Sequence, residues 1–211
     1  MAQRQSTFAW CKRMKGYDWS KLFFSDEAYI EVQENGTQYA LFIDGEPIKG
    51  WHVQQRDKFP QKIMIWGMIH SEGGCGVVVC PNTVDRLEYV KILRKGVVPW
   101  LRRYGHLGYV FQQDSAPAHT SQLALDYLDE HGIDYLDWPS SSPDLSPIEN
   151  ICHILKQRLK QKRCSKSCEQ VLEWVTEVWD EICEKHCPNL YDSMERRLDS
   201  CIKNKGGHTN Y

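Results

Sequence analysis

Apolar residues gather into short continuous runs in the first half of the chain and shift to a three-to-four spacing in the second. Lys21 to Val32 (KLFFSDEAYIEV), Tyr39 to Ile43, Ile63 to Ile69 and Gly76 to Cys80 read as strands, and their unbroken apolar character predicts a sheet covered on both faces. Gly45-Glu46-Pro47 and Gly73-Gly74 are turn signals. Gln33 to Pro60 is too long for a simple connection and marks an insertion. From Thr83 to Tyr104 the period becomes helical, with Leu87, Val90, Leu93, Val97 and Leu101 on one face, Thr83 as the expected N-cap and Pro99 as the expected break. A strand at Tyr109 to Gln112, a helix from His119 to Glu130 stopped by His131-Gly132, and a strand at Asp134 to Asp137 follow. Trp138 to Pro147 (WPSSSPDLSP) holds three prolines and four serines and must be a loop. The rest reads as helices over Ile148 to Arg163, Ser167 to Lys185 and Leu190 to Lys203, closed by Gly206-Gly207. Early strands, then alternation, then helices predict an α/β fold: one sheet with helices on both faces and a helical C-terminal extension.

Composition narrows the picture little. The 211 residues are 41% apolar and 26% charged, which is globular and excludes collagen-like, coiled-coil or wholly disordered chains. The net charge of −2 hides a division: residues 1–105 carry 15 basic and 11 acidic side chains, whereas 106–211 carry 11 and 17. No apolar run reaches the roughly 18 residues of a membrane helix, so no membrane partner is expected. No apolar segment follows the basic amino terminus, so secretion is not expected and the nine cysteines should be reduced. Cys164 with Cys168, and Cys183 with Cys187 beside His186, form two C-x3-C pairs with the ligand types of a zinc site. The favoured reading is one helix face of small buried hydrophobes.

Three acids sit where chemistry would choose them. Asp26 interrupts an apolar strand, Asp114 follows a strand directly, and Glu149 opens a helix. In α/β sheets such positions converge on one rim, where ligands bind. Carboxylates gathered there would repel by about 4 kcal/mol per pair at 4 Å and an effective dielectric of 20. A divalent cation relieves this, and oxygen donors with few imidazoles favour Mg²⁺ or Mn²⁺. Two such ions can activate an attacking oxygen and stabilise the leaving one in phosphoryl transfer.

The segments FSDEAYIEV, IMIWGMI, YVFQQDSAPAHTS, LDWPSSSPDLSPIEN and LYDSMERRLDSCIKNKGGHTNY, in this order, resemble the catalytic domain of Tc/mariner transposases, and the 34 residues between Asp114 and Glu149 look like the Tc branch. The resemblance implies a ribonuclease-H-like fold with a mixed five-stranded sheet flanked by helices. It also implies a catalytic and metal-binding triad of Asp26, Asp114 and Glu149, two Mg²⁺ or Mn²⁺ ions, cleavage at transposon ends, and strand transfer into a TA target in the nucleus, with a homodimer as a possible assembly. The expected organisation is a linker or helix over 1–20, a catalytic domain over 21–163 with its insertion near 33–60, and C-terminal helices over 164–211. Upstream helix-turn-helix domains would be missing, so specific recognition of terminal repeats is expected to fail.

Competing readings stand beside these. Ser146-Pro147-Ile148-Glu149 is also a capping box, and one side chain cannot both cap fully and bind metal. Asp114 suits a turn and Asp26 an edge strand. Glu27 and Asp144 are read as solvated or turn acids. His119 fits the D-x-A-P-x-H pattern as a phosphate- or water-orienting group, or packs at a helix start. Gln113 and Asn150 are expected to hydrogen-bond the metal ligands. Lys156, Arg158, Lys160, Lys162, Arg163 and Lys166, a run without an acid, are the expected DNA contacts against the default of a solvated face. Trp51, His52, Arg56, Lys58 and Phe59 give the insertion a basic and aromatic character suited to nucleic acid. Cys152 replaces the family's usual Trp. The alternative function is a non-catalytic nucleic-acid- or protein-binding module derived from a transposase; a ribonuclease-H-like nuclease unrelated to transposition is a third.

Overall fold

The computed structural model describes residues 2–32, 61–104, 107–161 and 168–211. A first helix, α1 (Ala2–Arg13), leads into β1 (Leu22–Val32), and β2 (Gln61–His70) and β3 (Gly73–Cys80) follow as an antiparallel hairpin. β4 (Val110–Gln112) and β5 (Tyr135–Leu136) complete a five-stranded sheet in the order β3-β2-β1-β4-β5. β1 runs antiparallel to β2 and parallel to β4, which is in turn parallel to β5, so the sheet is mixed. The expected strand at Tyr39 to Ile43 lies outside the described residues.

Strand periodicity divides the core in two. Leu22, Phe24, Ala28 and Ile30 of β1 join Trp10, Trp138, Ile148 and Trp179 in one cluster. Phe23 joins Trp66, Met68, Tyr89 and Phe111 in the other. Successive side chains point to opposite faces, which is why FFSDEAYIEV shows no clean alternation: both faces are dry. The first cluster is covered by α1, α5 (Pro147–Gln161), α6 (Cys168–Asp192) and α7 (Met194–Lys203). The second lies under α2 (Arg86–Ile92), α3 (Val98–Tyr104) and α4 (Gln122–Glu130).

Several boundaries differ from expectation for local reasons. Asp85, not Thr83, caps α2, its carboxylate accepting from the N–H groups of Leu87 and Glu88 at 2.9 Å each. The α-helical stretch changes at Leu93–Val97 to a π-turn that ends two residues before Pro99. The backbone stays helical through Val98 into α3, so Pro99 does not split the run. Gly73 and Gly74 belong to β3, and Ser71 and Glu72 make the turn. Glycine is needed at Gly74 because a Cβ there would sit 2.7 Å from Trp179 Nε1, and at Gly67 because a Cβ would meet the same ring at 2.4 Å. The helix expected from His119 begins at Gln122, capped by Ser121, and His119 lies in the preceding turn. Among the described residues, no helix is long and apolar enough to cross a membrane.

Candidate active site

Adjacent acids in β1 part company because of the strand's two-residue period. Asp26 shares the parity of Phe24 and Ala28 and so lies on the α5 side, whereas Glu27 lies on the side of α4. β4 runs parallel to β1 with Phe24 opposite Gln112, so continuing that register by two residues brings Asp114 level with Asp26. Glu149 stands in the first turn of α5, which packs against β1 on Asp26's face. Asp26, Asp114 and Glu149 line one open cavity of about 350 Å³ together with Ser25, Gln112 and the loop from Trp138 to Pro143.

The electrostatics are those of acids short of positive charge. Burial, and then the negative charges of Glu149, Glu27 and Asp114, push the Asp26 carboxyl up to about 8. Asp114 moves the other way, held below the usual range chiefly by its hydrogen bond with His119. His119 Nδ1 lies 2.5 Å from Asp114 Oδ1, and Ala116 N–H donates to the same oxygen at 2.9 Å. Burial opposes a charge on His119, but the hydrogen bond to Asp114 and the adjacent negative charge of Glu27 outweigh it and raise the imidazolium to about 9. Its Nε2 is 3.3 Å from Glu27 Oε1, an ion pair without a well-directed hydrogen bond. Glu27 is therefore a mostly buried strand partner of His119 and neither the solvated nor the turn acid expected; the pattern D-E in a strand buried on both faces was the available signal.

The expected supporting residues divide. Gln113 is buried, accepts from the Tyr89 hydroxyl at 2.7 Å and donates to the His119 carbonyl at 3.0 Å, so it holds the His119 turn and not a carboxylate. The His119 ring stacks on Tyr89 at 3.9 Å. Asn150 turns from the carboxylates: its Oδ1 accepts from Arg197 at 2.7 Å. Gln112, which the sequence reading passed over, lines the cavity, its carbonyl accepting from the Ser25 hydroxyl at 2.9 Å. The reciprocal capping box at Ser146 does not form among the described residues; the Glu149 N–H meets the Ser146 carbonyl at 3.3 Å, and the exposed Glu149 carboxylate lines the cavity. Asp144 is mostly buried in the 3-10 turn Pro143–Leu145 and accepts from the Thr209 N–H at 2.7 Å, so of the two readings it is the turn acid and not the solvated one. Cys152 is buried beneath the site, with its thiol pushed up by burial and by Asp26 and Glu149.

As the side chains stand, no group of three His, Cys, Asp or Glu among the described residues is drawn close enough to hold a metal ion. The donor set nonetheless suits a hard cation. It is all oxygen, the Asp26 carboxylate is destabilised by its acidic neighbours, both bonds to Asp114 fall on Oδ1, and no hydrogen bond among the described residues restrains the Glu149 carboxylate. Of the expected basic run, Arg158 pairs with Glu181 at 3.1 Å and Lys156 is half-buried on α5. The side chain of Lys160, and Lys162, Arg163 and Lys166 altogether, lie outside the described residues, as do Trp51, His52, Arg56, Lys58 and Phe59. Cys183 and Cys187 are buried on one face of α6, Cys168 is exposed, and Cys164 is outside the described residues.

Comparisons with known proteins agree with this architecture. The chain is 28% identical to the Tc3 transposase of Caenorhabditis elegans, over 95% of the chain and 61% of that protein. It is 30% identical to the Tcb2 transposase of Caenorhabditis briggsae, over 92% of the chain and 71% of that protein. The chain thus spans about three-fifths of the Tc3 relative's length. Its fold matches the Mos1 mariner paired end complex with Mn at a TM-score of 0.82 and 19% identity, covering 99% of this chain and 63% of that one. It matches the Mos1 mariner catalytic domain at 0.72 and 18% identity, covering 99% and 94%. The ribonuclease-H-like arrangement of a mixed five-stranded sheet, flanking helices and C-terminal helices is borne out. The model of the DDE superfamily endonucleases matches residues 21–172, from the strand that carries Asp26 to the helix after the one that carries Glu149, and the chain belongs to that family.

Proposed function

We propose that this chain is the catalytic part of a transposase that cuts and joins DNA strands with divalent metal ions. The observation that carries the reading is the convergence of Asp26, Asp114 and Glu149, from three separate elements, on one cavity in which Asp26 lacks a countercharge. Asp26, Asp114 and Glu149 would hold two Mg²⁺ or Mn²⁺ ions, which supply Lewis-acid stabilisation of the transferred phosphate and an activated attacking oxygen. The protein's own contribution is positioning. β1 and β4 set the two aspartates level, α5 presents the glutamate, and the His119 imidazolium fixes Asp114 through Oδ1. Lys156 and Arg158, on the helix that begins beside Glu149, would meet DNA phosphates as sequence-independent contacts.

Transposon ends as the substrate are supported by the transposase names of the relatives and by the Mos1 paired-end complexes, one of them with the left transposon end. A TA target, a homodimer and action in the nucleus extend the proposal by family resemblance alone. The test is nicking of supercoiled plasmid by the purified chain with Mn²⁺ or Mg²⁺. Metal-dependent nicking should appear in the wild type and fall by about three orders of magnitude or more in Asp114→Asn and Glu149→Gln, since the lost ligands act in the transition state. Equal activity in wild type and Asp114→Asn would overturn the reading.

A further inference from the structure

Arg197 is a buried cation that no ion pair among the described residues accounts for. It stands on α7 with 1% of its surface exposed, and the ion pairs of the described residues do not include it. A charge in that position is costly unless its hydrogen bonds are satisfied. All three guanidinium nitrogens are in use: Nε donates to the Ser193 hydroxyl at 2.9 Å, Nη1 to the Asp144 carbonyl at 2.8 Å and Nη2 to Asn150 Oδ1 at 2.7 Å. The guanidinium also lies 4.9 Å over the Tyr211 ring. Because arginine only donates, the Asn150 atom facing it must be the oxygen.

The targets of two of these bonds decide what the cation does. Asp144 lies in the 3-10 turn Pro143–Leu145 immediately before α5, and Asn150 is the residue after Glu149. One guanidinium therefore grips the chain on both sides of Glu149. The same turn is held from a second direction by the Asp144 carboxylate, which accepts from the Thr209 N–H at 2.7 Å and lies 3.4 Å from His208 Nδ1. The Glu149 carboxylate makes no hydrogen bond among the described residues, so its placement rests on the backbone beneath it.

We propose that Arg197 is a positioning residue for Glu149: by joining α7 to the turn and first turn of α5, it fixes where that carboxylate meets Asp26 and Asp114. The inference rests on the reading of the cavity as a metal-dependent centre, yet the placement it asserts can be measured without activity. A planar fork is required, because lysine offers one point charge and cannot span the Asp144 carbonyl and the Asn150 amide together.

The experiment compares wild type, Asn150→Ala and Arg197→Lys by hydrogen exchange, Mn²⁺ titration and nicking kinetics. Asn150→Ala removes only one partner of the grip and keeps the test alive if Arg197→Lys does not fold. Exchange in the segment 147–155 should speed up in both variants while β1 and α6 keep wild-type protection. Mn²⁺ affinity should weaken by about tenfold or more, the usual cost of losing a group that supports a metal ligand. kcat should fall with KM for DNA unchanged, and the double variant should lose little more than the worse single one. Unchanged exchange over 147–155, or loosening spread equally over α6 and α7 with wild-type Mn²⁺ affinity in the folded protein, would overturn the proposal. If the wild type neither binds Mn²⁺ nor nicks DNA while the local loosening is seen, the positioning role stands and the catalytic reading fails.

Discussion

His119 ties Asp114 on one side to Glu27 on the other, and the proton it carries sets a pH dependence that can be worked out by sign. Its folded pKa, about 9, exceeds the ordinary 6.5, so its contribution to stability is complete below pH 6.5 and is lost as pH rises to 9. Asp26 acts in the same direction: lifted from 3.8 to about 8, it binds its proton more tightly when folded, and stability falls as it ionises over that interval. Chemical denaturation of the metal-free protein should therefore show decreasing stability from pH 6.5 to 9. His119→Gln should flatten the limb above pH 8, and Asp26→Asn the limb below it; a pH-independent midpoint in the wild type would contradict both assignments. At this scale the three acids that share the cavity were legible because residue type and strand or helix boundary single them out. Glu27, Gln113 and Asn150 were misplaced because their partners, His119, Tyr89 and Arg197, lie up to 92 residues away, between Glu27 and His119, and no local pattern encodes them.

Elements were legible where a period ran long enough and uncertain where one contact decided. The turn of the β2–β3 hairpin shows this. Gly73-Gly74 looks like a turn, but the glycines serve β3, where the Trp179 ring of α6 lies against the sheet. Gly67→Ala should cost about 1–3 kcal/mol by overpacking, since its Cβ would fall 2.4 Å from that ring. Trp179→Ala should cost about 3–5 kcal/mol, and in its background Gly67→Ala should become nearly neutral. Denaturant midpoints of the two singles and the double test this coupling, and additive losses would refute it. At the start of α2, Asp85→Ala should cost about 0.5–2 kcal/mol and Thr83→Ala much less, because only Asp85 satisfies the first N–H groups. Thr83 has the residue type of a cap; that Asp85, two positions on, takes the role depends on where the chain enters the helix.

For the whole molecule, metal binding should appear as stability. If the three carboxylates take up Mn²⁺, a concentration of 100 times Kd should stabilise the fold by about 2.7 kcal/mol, and Glu149→Gln should remove most of that gain. A melting temperature that ignores Mn²⁺ in both proteins would count against the site. The order of strands and helices, the two dry faces of the sheet and the acids worth watching were all determined by the sequence alone. Periodicity, capping chemistry and residue type are local properties, and five ordered motifs carry them. Only the tertiary structure decided which of the two faces Asp26 takes, that α5 covers it there, and that α7 returns to hold both flanks of Glu149. Those outcomes depend on strand register and on helices packing across more than a hundred residues of chain, where burial and charge balance among distant side chains, and not the pattern of any one segment, select the partner.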